Sequence, residues 1–346
     1  MVSPPELIAV EIGEDTWRLQ GRVGPRNVYQ YLVASADRDE LLMIDTGTAE
    51  TPREVVLPAL RRLGLAASDL RLVVVTHPDV DHQGGLAGLR EACENTLAAC
   101  GFADRAMVGD PEKLLADRYG CYVEHALGMT ADEIRWVRAN YGARVEIDVT
   151  FSGGESLQIG ERRLDVLPAP GHSAGHLVLF EPETGLLFSS DAVHWHACPA
   201  ADGSPALCPT YEEVDDYLET IDLVESLAPS EMHSGHWPMR SGREVIAFLE
   251  DSRGFVEAVD AVLGARLAQP ATLAELCQEV QLEAGPWDSE PAMLRFVVAG
   301  HVRRLLHVRA VEVIEAGTRP PPRYRLSPDA QSPDRPASIE ARSGPN

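Results

Sequence analysis

Lysine is all but missing from this chain: Lys113 is the only one among 346 residues. Arginine therefore carries nearly all the positive charge, a mark of GC-rich coding more than of mechanism. Lysine plus arginine (30) fall far short of aspartate plus glutamate (54), giving a formal charge of −24. A surface that negative repels a phosphate backbone at long range, which argues against non-specific nucleic-acid binding. Part of the acidic excess is available to hold cations, since carboxylates are ligands for hard metals. No stretch approaches the roughly 18 uninterrupted apolar residues of a membrane span, so no membrane association is expected. The start, Met1-Val-Ser-Pro-Pro-Glu-Leu7, lacks a basic segment followed by an apolar run, so no secretory signal is read there and a cytoplasmic location is expected. The six cysteines (Cys93, Cys100, Cys121, Cys198, Cys208 and Cys277) contain no CxxC pair. They are expected to be reduced core residues rather than a disulfide framework.

What is present is enough apolar residue, 45% of the chain, to build a substantial core. The length exceeds one ordinary domain, so a large domain with a smaller companion is expected. Short apolar runs separated by turn residues open the chain. Leu7–Ile12, Asn27–Val33 and Glu40–Asp45 read as successive strands of an antiparallel sheet. Pro52–Leu63 has helical spacing, and Leu72-Val-Val-Val-Thr76 is a short continuous run typical of a strand buried on both faces. Residues 84–150 read as mostly helical. Strand character returns at Val145–Phe151, Glu155–Ile159, Arg163–Leu167, His176–Phe180 and Gly185–Ser189, followed by a helix over Glu212–Leu227 and a loop over Pro229–Pro238. Strand blocks alternating with helices predict an α+β chain, a sandwich of two mainly antiparallel sheets flanked by helices. Beyond it, helices at Arg253–Ala268, Leu273–Val280 and Met293–His307 precede a hairpin, Val311–Ile314 with Arg323–Leu326. The tail from Ser327 is rich in Pro, Ser and charge, and disorder is expected over 327–346.

Chemistry concentrates after the apolar run at 72–76. His77, Asp79, Asp81 and His82 sit where a loop at a strand's carboxyl end can aim several side chains at one point. Imidazole and carboxylate are the ligand set of zinc, iron or manganese. Adjacent Asp81 and His82 can serve one centre only from a turn. Gly84-Gly85 is expected to let the backbone pass close to the ion. The same placement recurs at His172 in Pro170-Gly-His-Ser-Ala-Gly-His176, at Asp191 in Phe188-Ser-Ser-Asp191, and at His236 in His233-Ser-Gly-His236.

The order Ile44-Asp-Thr-Gly47, Thr76-His-Pro-Asp-Val-Asp-His82, Gly171-His172, Asp191, Gly235-His236 resembles the metallo-β-lactamase superfamily, in particular its glyoxalase-II-like and lactonase-like hydrolases. The resemblance covers roughly residues 7–250 and implies an αββα catalytic domain over 1–252, with a helical insert at about 91–150. Residues 253–326 resemble the small winged-helix-like appendage of some glyoxalase-II-like hydrolases. The family pattern implies that His77, the residue at 79 and His172 hold one divalent metal ion, that Asp81, His82 and His236 hold a second, and that Asp191 bridges them. It expects histidine at position 79, where this chain has Asp79. The implied ions are zinc, with iron or manganese as alternatives because a carboxylate hardens the first position. Asp45 corresponds to the family's buried aspartate behind the ligands.

That resemblance implies a hydrolase cleaving a small activated acyl substrate (thioester, lactone or ester) with a metal-bridged hydroxide, Asp81 orienting the water and carrying its proton. The alternatives are a diiron redox enzyme on the same fold, encouraged by Asp79, or a small phosphodiesterase. The expected partner is a small molecule, with a homodimer as an option and the C-terminal unit forming a pocket wall or oligomer interface. Arginines and acidic residues nearly balance in that unit, so it lacks the basic patch of a nucleic-acid reader, and Arg303, Arg304 and Arg309 read as a solvated helix face. The Gly235-His236 context favours His236 over His233 as the last ligand. His176 reads as a supporting residue. His194 and His196, either side of Trp195, either border the pocket or lie on a surface loop. Tyr119, Tyr122 and His125 fall in the insert that covers the site in relatives, and His301 and His307 are not expected to be ligands.

Overall fold

The computed structural model describes residues 9–314 and 321–328. Leu7 and Ile8 of the first expected strand, and the tail from 329 onward, lie outside the described residues. The first sheet has seven strands in chain order: β1 (Ala9–Gly13), β2 (Thr16–Val23), β3 (Arg26–Ala34), β4 (Leu41–Ile44), β5 (Leu70–Val75), β6 (Leu97–Gly101) and β7 (Val149–Phe151). It is antiparallel as far as β4 and parallel from β4 to β7. The second sheet begins with the meander β8 (Glu155–Ile159), β9 (Arg162–Pro168), β10 (Leu177–Glu181) and β11 (Leu186–Ser190). After a small ribbon, β12 (Cys198–Pro199) with β13 (Pro205–Leu207), it is completed by β14 (Glu231–Ser234), parallel to β11, and β15 (Arg240–Ser241).

Alternating side chains show how these runs build layers. In β3 and β4, Tyr31, Val33, Leu42 and Ile44 point between the sheets, where they meet Leu177, Leu179, Leu186 and Phe188 of the second sheet. Their neighbours Leu32, Ala34, Leu41 and Met43 point the other way, against Val56, Leu60, Leu86 and Leu89 of the first helical layer. On the far side, Val178, Leu187 and Met232 pack on Tyr217, Ile221 and Val224 of helix Val214–Leu227 and on Phe248 and Leu249 of helix Arg243–Arg266. Strand segments covered on both faces, such as Leu72–Val75 of β5, read as continuous apolar runs. This is the expected four-layer arrangement, with the first sheet mixed rather than mainly antiparallel.

Strands also stand where none is expected: the eight-residue β2 and the short β12, β13 and β15, besides two inside segments read otherwise, β6 and β14. β6 lies inside the segment read as helical, because Leu97-Ala-Ala-Cys-Gly101 is short and contains strong helix formers. Tertiary packing overrides that propensity: Ala98 and Cys100 face the helices, Ala99 faces the second sheet, and Gly101 lies so close to the Gly175 carbonyl that a Cβ would collide with it. The inserted helical segment is correspondingly shorter than 91–150. β14 takes up part of the expected 229–238 loop, its four residues being held by pairing to β11.

Helix Arg243–Arg266 runs straight through the expected boundary at 252/253, so no linker separates the C-terminal unit. That unit continues with β16 (Ala271–Thr272), helices Leu273–Glu283 and Arg295–His307, and the hairpin β17 (Val311–Ile314) and β18 (Arg323–Leu326), in the sheet order β16-β18-β17. Arg303 and Arg304 are not simply solvated. They pair with Glu213 (2.8 Å) and Asp215 (2.9 Å) at the start of helix Val214–Leu227, pinning the unit to the sandwich. All six cysteines are free, and all but Cys121 are buried. No helix among the described residues is long and apolar enough to cross a membrane.

Phe188 is fully buried between the sheets, its ring centroid 5.1 Å from that of Tyr31. Phe188→Ala should cost about 3–5 kcal/mol, read as a drop in denaturant midpoint at unchanged slope. A loss below about 1 kcal/mol would contradict close packing of the sheets at this point.

Candidate metal centre

The sheet ends carry the chemistry. Asp45 follows β4 in a left-handed conformation (φ +60°). This turns its carboxylate under the neighbouring strand ends, where it accepts hydrogen bonds from the Thr76 amide (2.8 Å) and the Ser190 hydroxyl (2.7 Å). The same carboxylate lies 2.9 Å from His82 Nδ1. A proton on that nitrogen, donated to Asp45, leaves the Nε2 lone pair of His82 free for an ion. Residues Val80–Gln83 form a single helical turn after Asp79, and this turn directs adjacent Asp81 and His82 to one point. Gly84 and Gly85 serve another purpose than the one expected. A Cβ on Gly84 would strike the Asn140 and Val80 carbonyls, and one on Gly85 the Thr46 carbonyl, so both are needed for backbone packing. The glycine that clears the centre is Gly235, where a Cβ would run into the Asp191 carboxylate and the His82 ring.

Four ligand atoms converge in the second position. His82 Nε2 lies 3.2 Å from His236 Nε2, which in turn is 3.4 Å from both Asp81 Oδ2 and Asp191 Oδ2; His82 Nε2 is 3.7 Å from Asp191 Oδ2. Ligands about 2.0–2.2 Å from a tetrahedral zinc lie about 3.3–3.6 Å from one another, so these spacings fit one ion. His236 Nδ1 is 2.6 Å from the Asn27 carbonyl, which fixes its tautomer with Nε2 bare.

The other position is differently furnished. Asp79 Oδ1 accepts from Arg118 Nε (2.7 Å) and the Tyr119 hydroxyl (2.8 Å). Its Oδ2 lies 3.2 Å from Arg118 Nη2 and 3.0 Å from His172 Nε2. His77, His172 and Asp191 still bring one ligand atom each within 4.8 Å of the others. Among the described residues, His77 Nε2 and Asp191 Oδ1 are buried without a hydrogen-bond partner.

Electrostatics separate the groups. Burial alone would lower the His82 imidazole, but the carboxylates of Asp191, Asp45 and Asp81 outweigh it and raise its pKa to about 10 in the metal-free protein. Burial works to raise the Asp191 carboxyl, yet His236 and His82 hold it well below the usual range. His77, His176 and His194 are pushed down, first by burial and then by their neighbours, and so are neutral.

Every residue expected to be a ligand is therefore brought to one edge of the sandwich. Of the remaining histidines, His176 stacks on His77 (4.9 Å, 17°) and His194 lies beside His172 (4.6 Å), lining the cavity. His196 packs on Trp195 away from the centre, and His233 pairs with Glu231 at 3.1 Å. His301 is held by Tyr211 and Asp260, and His307 is exposed. Sequence reasoning missed Arg118, Arg26 and Arg295, all of which line the cavity. The signal for Arg118 was the extra charge of Asp79 itself, since a buried carboxylate calls for a cation.

A metal-binding αββα sandwich is a class with a definite address. The chain belongs to the metallo-beta-lactamase superfamily, whose family model matches residues 23–236. It is 28% identical over 231 residues to acyl-coenzyme A thioesterase MBLAC2 of Gallus gallus, covering 60% of this chain and 72% of that one. It is 29% identical over 164 residues to a hydroxyacylglutathione hydrolase of Thermosynechococcus vestitus, covering 46% of this chain and 50% of the relative. In fold it is similar to a metallo-beta-lactamase family protein from Thermus thermophilus, at 21% identity and a TM-score of 0.73, over 92% of this chain and 100% of that one.

A ligating imidazole must be neutral, so cation uptake should expel a proton from His82 at any pH below about 10. Apparent affinity for zinc should then rise roughly tenfold per pH unit, measured by chelator competition between about pH 6 and 9. Asp45→Ala, which removes a carboxylate that raises His82, should weaken metal binding about 10–100-fold and flatten that slope. A pH-independent affinity would contradict the protonated His82.

Proposed function

We propose that this protein is a metal-dependent hydrolase of small activated acyl compounds, thioesters above all, with lactones and simple esters in the same class. One observation carries the reading. Of the four converging ligand residues, Asp81, Asp191 and His236 border a cavity of about 510 Å³, within the usual range for small-molecule sites, and His82 is buried behind them. Val80, Met129, Trp136, Leu207, Trp237 and Phe296 give that cavity apolar walls suited to an acyl chain. The names of the relatives, a thioesterase and a hydroxyacylglutathione hydrolase, support the same chemistry.

A divalent cation held there would supply Lewis acidity, making water more acidic and polarising the substrate carbonyl. The Asp81 carboxylate borders the cavity, where it would orient the attacking water and accept its proton. The water oxygen bonds to the acyl carbon, the bond from carbon to sulfur or oxygen breaks, and the departing thiolate or alkoxide takes up the proton. Arg295 adds a selectivity element. It is 3% exposed, borders the cavity and has no carboxylate within salt-bridge distance among the described residues. A buried cation without a counter-charge is costly, and an anionic group on the substrate would relieve it. The diiron redox alternative rests on Asp79 as an iron ligand, and all four acceptor positions of Asp79 face donors. A small organic acyl substrate rather than a nucleic acid belongs to this reading.

Asp191→Ala should remove thioester hydrolysis and bound metal together; full turnover with stoichiometric metal would refute the centre. Arg295→Ala should raise KM about tenfold or more for acyl substrates bearing a carboxylate or phosphate, while metal content stays constant. Equal effects on neutral and anionic thioesters would remove Arg295 from substrate recognition.

A further inference from the structure

We infer that Arg118 takes the place of a metal ion in the first position, so that the centre holds one divalent cation beside one fixed guanidinium. The inference takes from the proposed function only that the centre binds a cation. Arg118 and Tyr119 sit side by side on the turn Leu115–Tyr119, which lies over the motif. A carboxylate has about four lone-pair directions, and Asp79 meets a donor in each: Arg118 Nε, Tyr119 Oη, Arg118 Nη2 and His172 Nε2. No direction remains for an ion.

Arg118 is nearly as saturated. A guanidinium has five N–H groups, and four of those of Arg118 meet acceptors: both oxygens of Asp79, the Glu212 carboxylate (2.9 Å) and the His172 carbonyl (2.9 Å). The side chain is 3% exposed and cannot swing into water to make room. His172 Nε2, the atom that would ligate, gives its proton to Asp79 and lies 3.2 Å from Arg118 Nη2. An ion entering beside His77 and Asp191 would have to break that arrangement and then sit next to a permanent positive charge. The second position is less obstructed: Asp81, His82, Asp191 and His236 converge there, and the one guanidinium that reaches it, that of Arg26, makes a single contact to Asp81 Oδ2 at 3.5 Å. The exchange of histidine for Asp79 and the presence of Arg118 are thus one feature.

The test is a metal count. Chelator-stripped full-length protein is loaded with excess zinc or cobalt, desalted and analysed for metal per chain, and the cobalt form is examined for a metal–metal vector by X-ray absorption. The expected result is one ion per chain and no metal–metal scatter at about 3.5–4 Å. The double variant Asp79→His with Arg118→Ala should bind two. Two tightly held ions in the unaltered protein would overturn the inference, as would a folded double variant that still holds one. The count on the unaltered protein decides the matter even if the variant does not fold. Hydrolysis is assayed on the same samples: one ion without turnover would remove the hydrolase reading alone, and two ions with turnover would remove this inference alone.

Discussion

The Asp45 carboxylate is the contact on which the centre depends. It joins the ends of β4, β5 and β11 through the Thr76 amide and the Ser190 hydroxyl, and it orients His82 from behind. Two sheets packed face to face have no intrinsic reason to hold their strand ends in register to a fraction of an ångström. A buried carboxylate shared between the first sheet and the second supplies one, because any slip would leave a charge without partners in an apolar interior. The left-handed backbone at Asp45 and Ser190 (φ +60° and +46°) is local strain that this network over-determines.

Much of this was legible in the sequence because the physics is local. An apolar run that stops abruptly at Asp45, at Thr76 or at Asp191 marks a strand end, and ligand-type residues just beyond such ends are candidates to converge. The ambiguity between His233 and His236 illustrates the same rule: His233 lies within β14 and faces Tyr31 and Phe188, whereas His236 follows the strand and reaches the centre.

What was not legible depends on long-range packing. Nothing in Leu97–Gly101 says strand until its neighbours β5 and β7 are in place, and β14 is a strand only because β11 lies beside it. The glycine reasoning was misplaced for the same reason: Gly84 and Gly85 meet carbonyls distant in sequence, while Gly235 meets Asp191. Arg118 lies 39 residues from Asp79, and periodicity within its own segment cannot show which residue it will neutralise.

The pairing of Asp79 with Arg118 also explains how the fold tolerates so many acids in one place. Asp45, Asp79, Asp81 and Asp191 are all buried or nearly so around a single centre. Like charges in a low-dielectric interior repel strongly, and each needs its own compensation. Asp45 has the Thr76 and Ser190 donors with His82, and Asp81 and Asp191 have a cation position with His236. Asp79 has Arg118, and although burial would raise its carboxyl, Arg118 and His172 hold it well below the usual range. Each carboxylate is thereby settled by a separate partner, and the cluster divides into an ion-binding half and a half whose positive charge is built into the chain. A histidine at position 79 would leave Arg118 with Glu212 as its one carboxylate partner among the described residues, beside a metal site; an alanine at 118 would leave Asp79 without its guanidinium. Neither residue is explained alone, and each accounts for the other.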